Sequence, residues 1–136
     1  MMEFNQKQIN IFKELGVVAI YIFGSQAQGL AQPMSDVDIG IIFDKPAQYK
    51  NKTMDAYAEF YSIFTDIFPG KDVDIVFLQL VSPALQFRAV RDGQIIYEAD
   101  QEQQLTYREN VFKNRADFEY FYDIQYNAAL QRIWIN

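Results

Sequence analysis

The chain has 136 residues, half of them hydrophobic and 16% aromatic, which fits one domain with a substantial core and excludes a disordered polymer. It carries no cysteine and no histidine, so disulfides, thiolate metal sites and Ser-His or Cys-His pairs are all excluded. A general base must then be a carboxylate, a perturbed Lys or Tyr, or metal-bound water. The formal net charge of −6 counts against general nucleic-acid binding, and no direct nucleic-acid partner is expected.

No apolar run reaches the length of a membrane span. The start Met-Met-Glu-Phe-Asn-Gln-Lys lacks the basic-then-apolar order of a secretory signal. A soluble, cytoplasmic protein without a membrane partner is the expectation.

In chain order, Asn5 to Leu15 reads as a first helix, with Ile9, Phe12 and Leu15 three apart, Asn5 and Gln8 as a capping box and Gly16 as the stop. Val17 to Phe23 is a nearly continuous β-branched and aromatic run, the pattern of a strand covered on both faces. Val37 to Phe43 is a second such strand. Asp44-Lys45-Pro46 then offers a turn and a proline for the first turn of a helix, which the spacing of Met54, Tyr57, Ala58, Tyr61, Phe64 and Phe68 carries to Phe68.

Val73 to Leu78 is a third strand. Ser82-Pro83 starts a short helix through about Val90, closed by Asp92-Gly93, and Gln94 to Glu98 reads as a short edge strand. From about Asp100 the chain is expected to be helical nearly to its end. The rings of Phe118, Tyr120, Phe121, Tyr122 and Tyr126 there fit either packing on the sheet or a protein interface.

Two punctuation points carry chemistry. Gly24-Ser25-Gln26-Ala27-Gln28-Gly29 ends the first strand, and Ser35-Asp36-Val37-Asp38 opens the second, with ten residues between Ser25 and Asp36. Gly24 permits close backbone approach to a phosphate and Ser25 adds a hydroxyl. The glycine spacing matches neither a Walker A loop nor a dinucleotide fingerprint. Strand alternation turns Asp36 and Asp38 the same way, with Cα atoms about 6.6 Å apart.

Such a pair suits Mg²⁺, which favours hard oxygen ligands and completes its shell with substrate phosphates. Lys71-Asp72-Val73-Asp74-Ile75 repeats the arrangement at the third strand, where charge at the mouth of an apolar run is costly unless neutralised. Taken singly, an Asp-x-Asp is usually a solvated turn and a Gly-Ser a common one. Their combination on successive strands is far less ordinary.

That combination resembles the nucleotidyltransferase superfamily typified by DNA polymerase β, whose Gly-Ser-x-Ala-x-Gly and Asp-x-Asp signature is matched by Gly24, Ser25, Ala27, Gly29, Asp36 and Asp38. The similarity runs over roughly residues 10 to 100, through Val73-Asp74-Ile75-Val76, Pro83 and Arg88-Ala89-Val90-Arg91-Asp92-Gly93 to Tyr97. The short chain looks most like the minimal nucleotidyltransferases, in particular the MntA-like antitoxins of HEPN/MNT toxin–antitoxin pairs.

The resemblance implies an α/β (α+β) polymerase β-like nucleotidyltransferase fold, with a small mixed β-sheet flanked by helices. A single domain would span residues 1 to 136, with its core over about 10–100 and a C-terminal helical segment over about 100–134. It further implies transfer of a nucleoside monophosphate, with two Mg²⁺ ions, onto a hydroxyl. In the MntA-like branch the donor is ATP and the hydroxyl a tyrosine of a cognate HEPN ribonuclease, whose toxicity is thereby neutralised, with a hetero-oligomer as a further expectation.

Carried over residue by residue, Gly24 and Ser25 would contact the β and γ phosphates. Asp36 and Asp38 would hold the metals, with Asp74 as the third metal-associated carboxylate serving the acceptor. Parity alone does not separate Asp72 from Asp74, and the family's order favours Asp74. Arg88 and Arg91 fit a triphosphate contact, a partner contact or a solvated helix face alike. Two other functions stay open: an antitoxin acting by occlusion alone, and a transferase acting on a small hydroxylated molecule.

Overall fold

A computed structural model describes residues 1–24, 36–51 and 53–135, with the side chains of Phe118, Phe121, Tyr122 and residues 132–135 left aside. Ser25, Ala27, Gly29 and Ser35 therefore lie outside the described residues. The first helix, α1 (Gln6–Glu14), is fixed at its start by a reciprocal box. Asn5 Oδ1 accepts from the Gln8 amide at 2.8 Å, and Gln8 Oε1 accepts from the Asn5 amide at 2.9 Å. Gly16, at φ +74°, turns the chain into β1 (Val17–Phe23).

After β2 (Val37–Phe43), Pro46–Tyr49 forms a separate 3-10 turn, and α2 (Thr53–Ile67) follows. The continuous helix expected from Pro46 to Phe68 is thus interrupted. The cause is Tyr49: its hydroxyl donates to the Leu15 carbonyl, and its ring lies 4.2 Å from that of Phe43 and 5.7 Å from that of Phe77. Burying this ring against the sheet outweighs one more helical turn. Next come β3 (Val73–Phe77), α3 (Pro83–Asp92), β4 (Gln94–Glu98) and the 35-residue α4 (Gln101–Ile135). Leu78–Leu80 leaves β3 as another 3-10 turn, and α3 runs two residues past the expected Val90.

The four strands form one mixed sheet in the order β3-β2-β1-β4. β1 is antiparallel to β2 and β4, while β2 and β3, joined through α2, run parallel. Every residue of β1 is buried because both faces are covered. One face carries Val17, Ile20, Ile22 and Ile39 against Phe12, Phe60 and Phe64 of α1 and α2. The other carries Val18, Ala19, Tyr21 and Ile42 against Ala89 and Val90 of α3 and Val111 of α4. An irregularity between Val17 and Ala19 puts the neighbours Val18 and Ala19 on the same face.

Among the described side chains of α4, those of its first half pack on the body, and a buried polar lock holds them there. The Gln104 side-chain amide donates to the Tyr21 hydroxyl at 2.7 Å, and the Tyr107 hydroxyl donates to Gln86 Oε1 at 2.8 Å. Burial pushes both phenols upward, so both keep their protons. Tyr21→Phe would strand the amide of Gln104, which is 2% exposed. The expected cost is about 1–3 kcal/mol in urea unfolding; an unchanged midpoint would mean that the lock is energetically idle. Tyr120, Ile124 and Tyr126 farther along α4 are exposed, so the expected packing of that stretch on the sheet is not what these three side chains do.

Candidate functional site

Parity places the chemistry. Val37, Ile39 and Ile41 of β2, with Val73, Ile75 and Phe77 of β3, face α1 and α2. Asp38 and Asp74, at the alternate positions, therefore face the side that carries α3. The parallel register sets Asp38 directly opposite Asp74, with Val37 opposite Val73. The amide of Val37 donates to the Asp72 carbonyl at 2.8 Å, which fixes this register at the strand mouth. Asp36 precedes β2 by one residue and is exposed, as is Asp74, while Asp38 is half-buried.

The electrostatics follow from that crowding. Asp38 is held above its ordinary value of 3.8, first by desolvation, then by the negative charges of Asp74 and Asp36, with Arg88 acting weakly in the opposite sense. Among the described residues no three acidic side chains close into a ready-made metal cage.

A half-buried carboxylate under the field of two others is nonetheless a site where a cation relieves strain, and its donors are the hard oxygens that magnesium takes. Magnesium leaves several positions to water and phosphate, so two or three splayed carboxylates fit it without a cage. The donor set fits the ion.

Gly24 closes the end of β1 at φ +79°, and Phe23 pairs with Asp38 across the ladder. A methyl group built on Gly24 would sit against Asp38 Oδ2, far inside van der Waals contact. The absent side chain is thus the space that the carboxylate occupies. Gly24→Ala should combine left-handed backbone strain with displacement of that carboxylate, costing at least about 1–2 kcal/mol. Thermal unfolding would register it; an unchanged midpoint would show that the end of β1 relaxes freely. Of the other predicted residues, Asp36, Asp38 and Asp74 lie at the end of the sheet that carries Gly24, and Ser25 lies outside the described residues.

The sequence leaves Arg88 open between a triphosphate contact, a partner contact and a solvated helix face, and in the structure it is exposed. It lies on α3, and its charge reaches Asp38 and Asp92. Its position four residues before the helix end and five before Gly93 was the only available signal. A methyl group built on Gly93 would run into the Ala89 carbonyl and crowd the Ile22 carbonyl and Phe23, so the end of α3 lies close to the end of β1.

Residues 6–102 match the family described as polymerase beta, nucleotidyltransferase. No curated protein sequence matches the chain. Among solved structures, a toxin–antitoxin complex with AMP-PNP is similar at a TM-score of 0.69 and 18% identity, covering 93% of this chain and 99% of that one. The MntA–HepT toxin–antitoxin complex is similar at 0.63 and 16%, covering 91% and 94%. A tri-AMPylated HEPN toxin in complex with MNT antitoxin, from Shewanella oneidensis, is similar at 0.63 and 16%, covering 91% and 93%. At these identities the likeness speaks for the fold.

Proposed function

The chain belongs to the polymerase β nucleotidyltransferase family, and from that premise we propose that it transfers AMP from ATP, with Mg²⁺, to a tyrosine hydroxyl of a cognate HEPN toxin and so neutralises it. The observation that carries this reading is the in-register pair Asp38 and Asp74, coupled to Asp36 and set against Gly24. It is supported by the structural likeness to toxin–antitoxin complexes, one with AMP-PNP and one with a tri-AMPylated toxin. One or several AMP units per acceptor are compatible with it. The exposed Tyr120, Ile124 and Tyr126 of α4 supply apolar surface suited to a protein partner.

In this reading Asp36 and Asp38 hold magnesium, which when bound offsets charge on the triphosphate and on the transferred phosphoryl group. Gly24 and Ser25 bring the backbone and a hydroxyl to the phosphates. Asp74 orients the acceptor hydroxyl and receives its proton. Most of the rate gain comes from positioning and from charge placed where the transition state needs it.

The test combines the purified chain, Mg²⁺, ATP labelled at the α-phosphate and the HEPN protein encoded beside it. Label on a tyrosine of that protein, lost on chelation of the metal, is the expected result. No label would overturn the transferase reading. Protection of cells from the toxin without any label would instead favour occlusion.

A further inference from the structure

Three of the five arginines in this acidic chain, Arg88, Arg91 and Arg115, line one groove of about 420 Å³ between α3 and α4. Ala84, Phe87, Arg88 and Arg91 form a stripe at helical spacing along α3, and Arg115 reaches across from α4. Two of the guanidiniums are already positioned. Arg91 lies 5.3 Å and Arg115 5.0 Å from the centre of the Phe87 ring. Asp92 accepts from Arg91 at 2.8 and 2.7 Å, and Glu119 accepts from Arg115 at 2.9 Å. Arg88 makes no hydrogen bond or ion pair among the described residues, and its charge reaches Asp38 at the catalytic end.

Within the groove three cations face two paired carboxylates, Asp92 and Glu119, which leaves it a local excess of positive charge on a chain whose net charge is −6, with the carboxylates around Asp38 beyond its Arg88 end. We propose that this groove is a phosphate-binding subsite for an acceptor that already carries nucleotidyl units, a proposal that rests on the transferase reading above. Guanidinium forks match phosphate oxygens in geometry as well as charge. Through Arg88, the groove begins where phosphoryl transfer is placed.

Each addition forms one bond from an acceptor oxygen to the α-phosphorus and breaks the bond from that phosphorus to the pyrophosphate oxygen. Pyrophosphate leaves, and the hydroxyl proton passes to a carboxylate and then to water. The acceptor gains one phosphodiester charge and one ribose whose hydroxyl can attack next. A groove of ordered arginines beside the site holds that charge and keeps the ribose near the carboxylates. It favours repeated addition over release.

The test uses a labelled 5′-phosphorylated triadenylate, followed by fluorescence anisotropy over a range of salt. The double variant Arg91→Ala, Arg115→Ala should bind at least 10-fold more weakly, with a log–log salt slope shallower by about 0.7 per arginine removed. Arg115→Lys, which keeps the charge, should recover part of the loss. With the HEPN partner and ATP, the ratio of multiply to singly modified protein should fall at least 10-fold in the double variant, as read by intact mass.

Equal triadenylate binding by the variant and the unsubstituted chain would overturn the subsite. So would competition by polyglutamate as effective as competition by unlabelled triadenylate, which would mark a docking face for acidic protein. An unsubstituted chain that transfers no AMP overturns the transferase reading instead, whatever the triadenylate does.

Discussion

Replacing Asp36 and Asp38 together by asparagine is expected to reduce AMP transfer by at least about 10³-fold while leaving the chain folded and no less stable. The size follows from the role. Removal of one preorganised electrostatic group costs about 10²–10³ in rate, and here two would go at the position where charge develops. Asparagine keeps shape and hydrogen bonding, so the loss isolates the charge.

The stability half of this expectation comes from the sign of the shift at Asp38. Its folded-state value lies above the ordinary 3.8, so ionisation is penalised in the native chain. The favourable contribution of the site is therefore complete below pH 3.8 and is lost as pH rises through the raised folded value. At neutral pH the free chain bears that penalty, and Asp38→Asn removes it.

For a side chain that is only half-buried the gain is small, and it reads as a modest rise in Tm at neutral pH. The difference should close as the pH is lowered towards 4. A single Asp38→Asn that lowered Tm at pH 7 would mean that the carboxylate holds the fold together rather than waiting for a cation. Undiminished transfer by the double variant would remove the carboxylates from the proposed site.

Phe12→Ala should be the most destabilising single truncation, at about 3–5 kcal/mol. Phe12 is fully buried. Its ring centre lies 4.9 Å from Tyr97, 5.1 Å from Phe4, 6.0 Å from Phe60 and 6.4 Å from Phe64. It thus joins α1 to α2, to β4 and to the segment before α1. Removing it vacates a void bordered by four aromatic rings, which cannot collapse together without disturbing the edge-to-face contacts of Phe4 with Phe64 and Tyr97.

Chemical denaturation would give the figure, with Tyr126→Ala on the exposed part of α4 as a control within about 0.5 kcal/mol of the unsubstituted chain. A loss below about 1.5 kcal/mol would mean that the aromatic cluster repacks.

What could be read from the sequence was what local chemistry decides. The capping box of Asn5 and Gln8, the stop at Gly16 and the two apolar strands from Val17 and Val37 form where the pattern put them. β4 lies at an edge of the sheet, as its short run between Gly93 and Asp100 indicated. Decisions made by distant residues were not readable. The break after Tyr49 depends on a ring meeting not only nearby Phe43 but also Phe77 and the Leu15 carbonyl, which are far from it in the chain.

Which of Asp72 and Asp74 stands opposite Asp38 is likewise a matter of the β2–β3 register, which strand parity does not contain. The three-arginine groove was beyond reach for a similar reason. Arg115 stands 24 positions after Arg91, and only the packing of α4 along α3 brings them over the same ring. Repeating helices of this length offer many registers, and the polar lock of Gln104 and Tyr107 selects one.

The irregular pairing at the start of β1 has a corollary for how this protein tolerates changes of length. Because side chains alternate along an extended chain, inserting or deleting one residue between Ala19 and Phe23 would exchange the set facing α1 and α2 with the set facing α3 and α4, sending Tyr21 away from Gln104 and the Asp38-facing terminus out of alignment. Relatives should accordingly vary this ribbon by substitution alone, and confine gains and losses of residues to stretches such as the turn around Pro46–Tyr49.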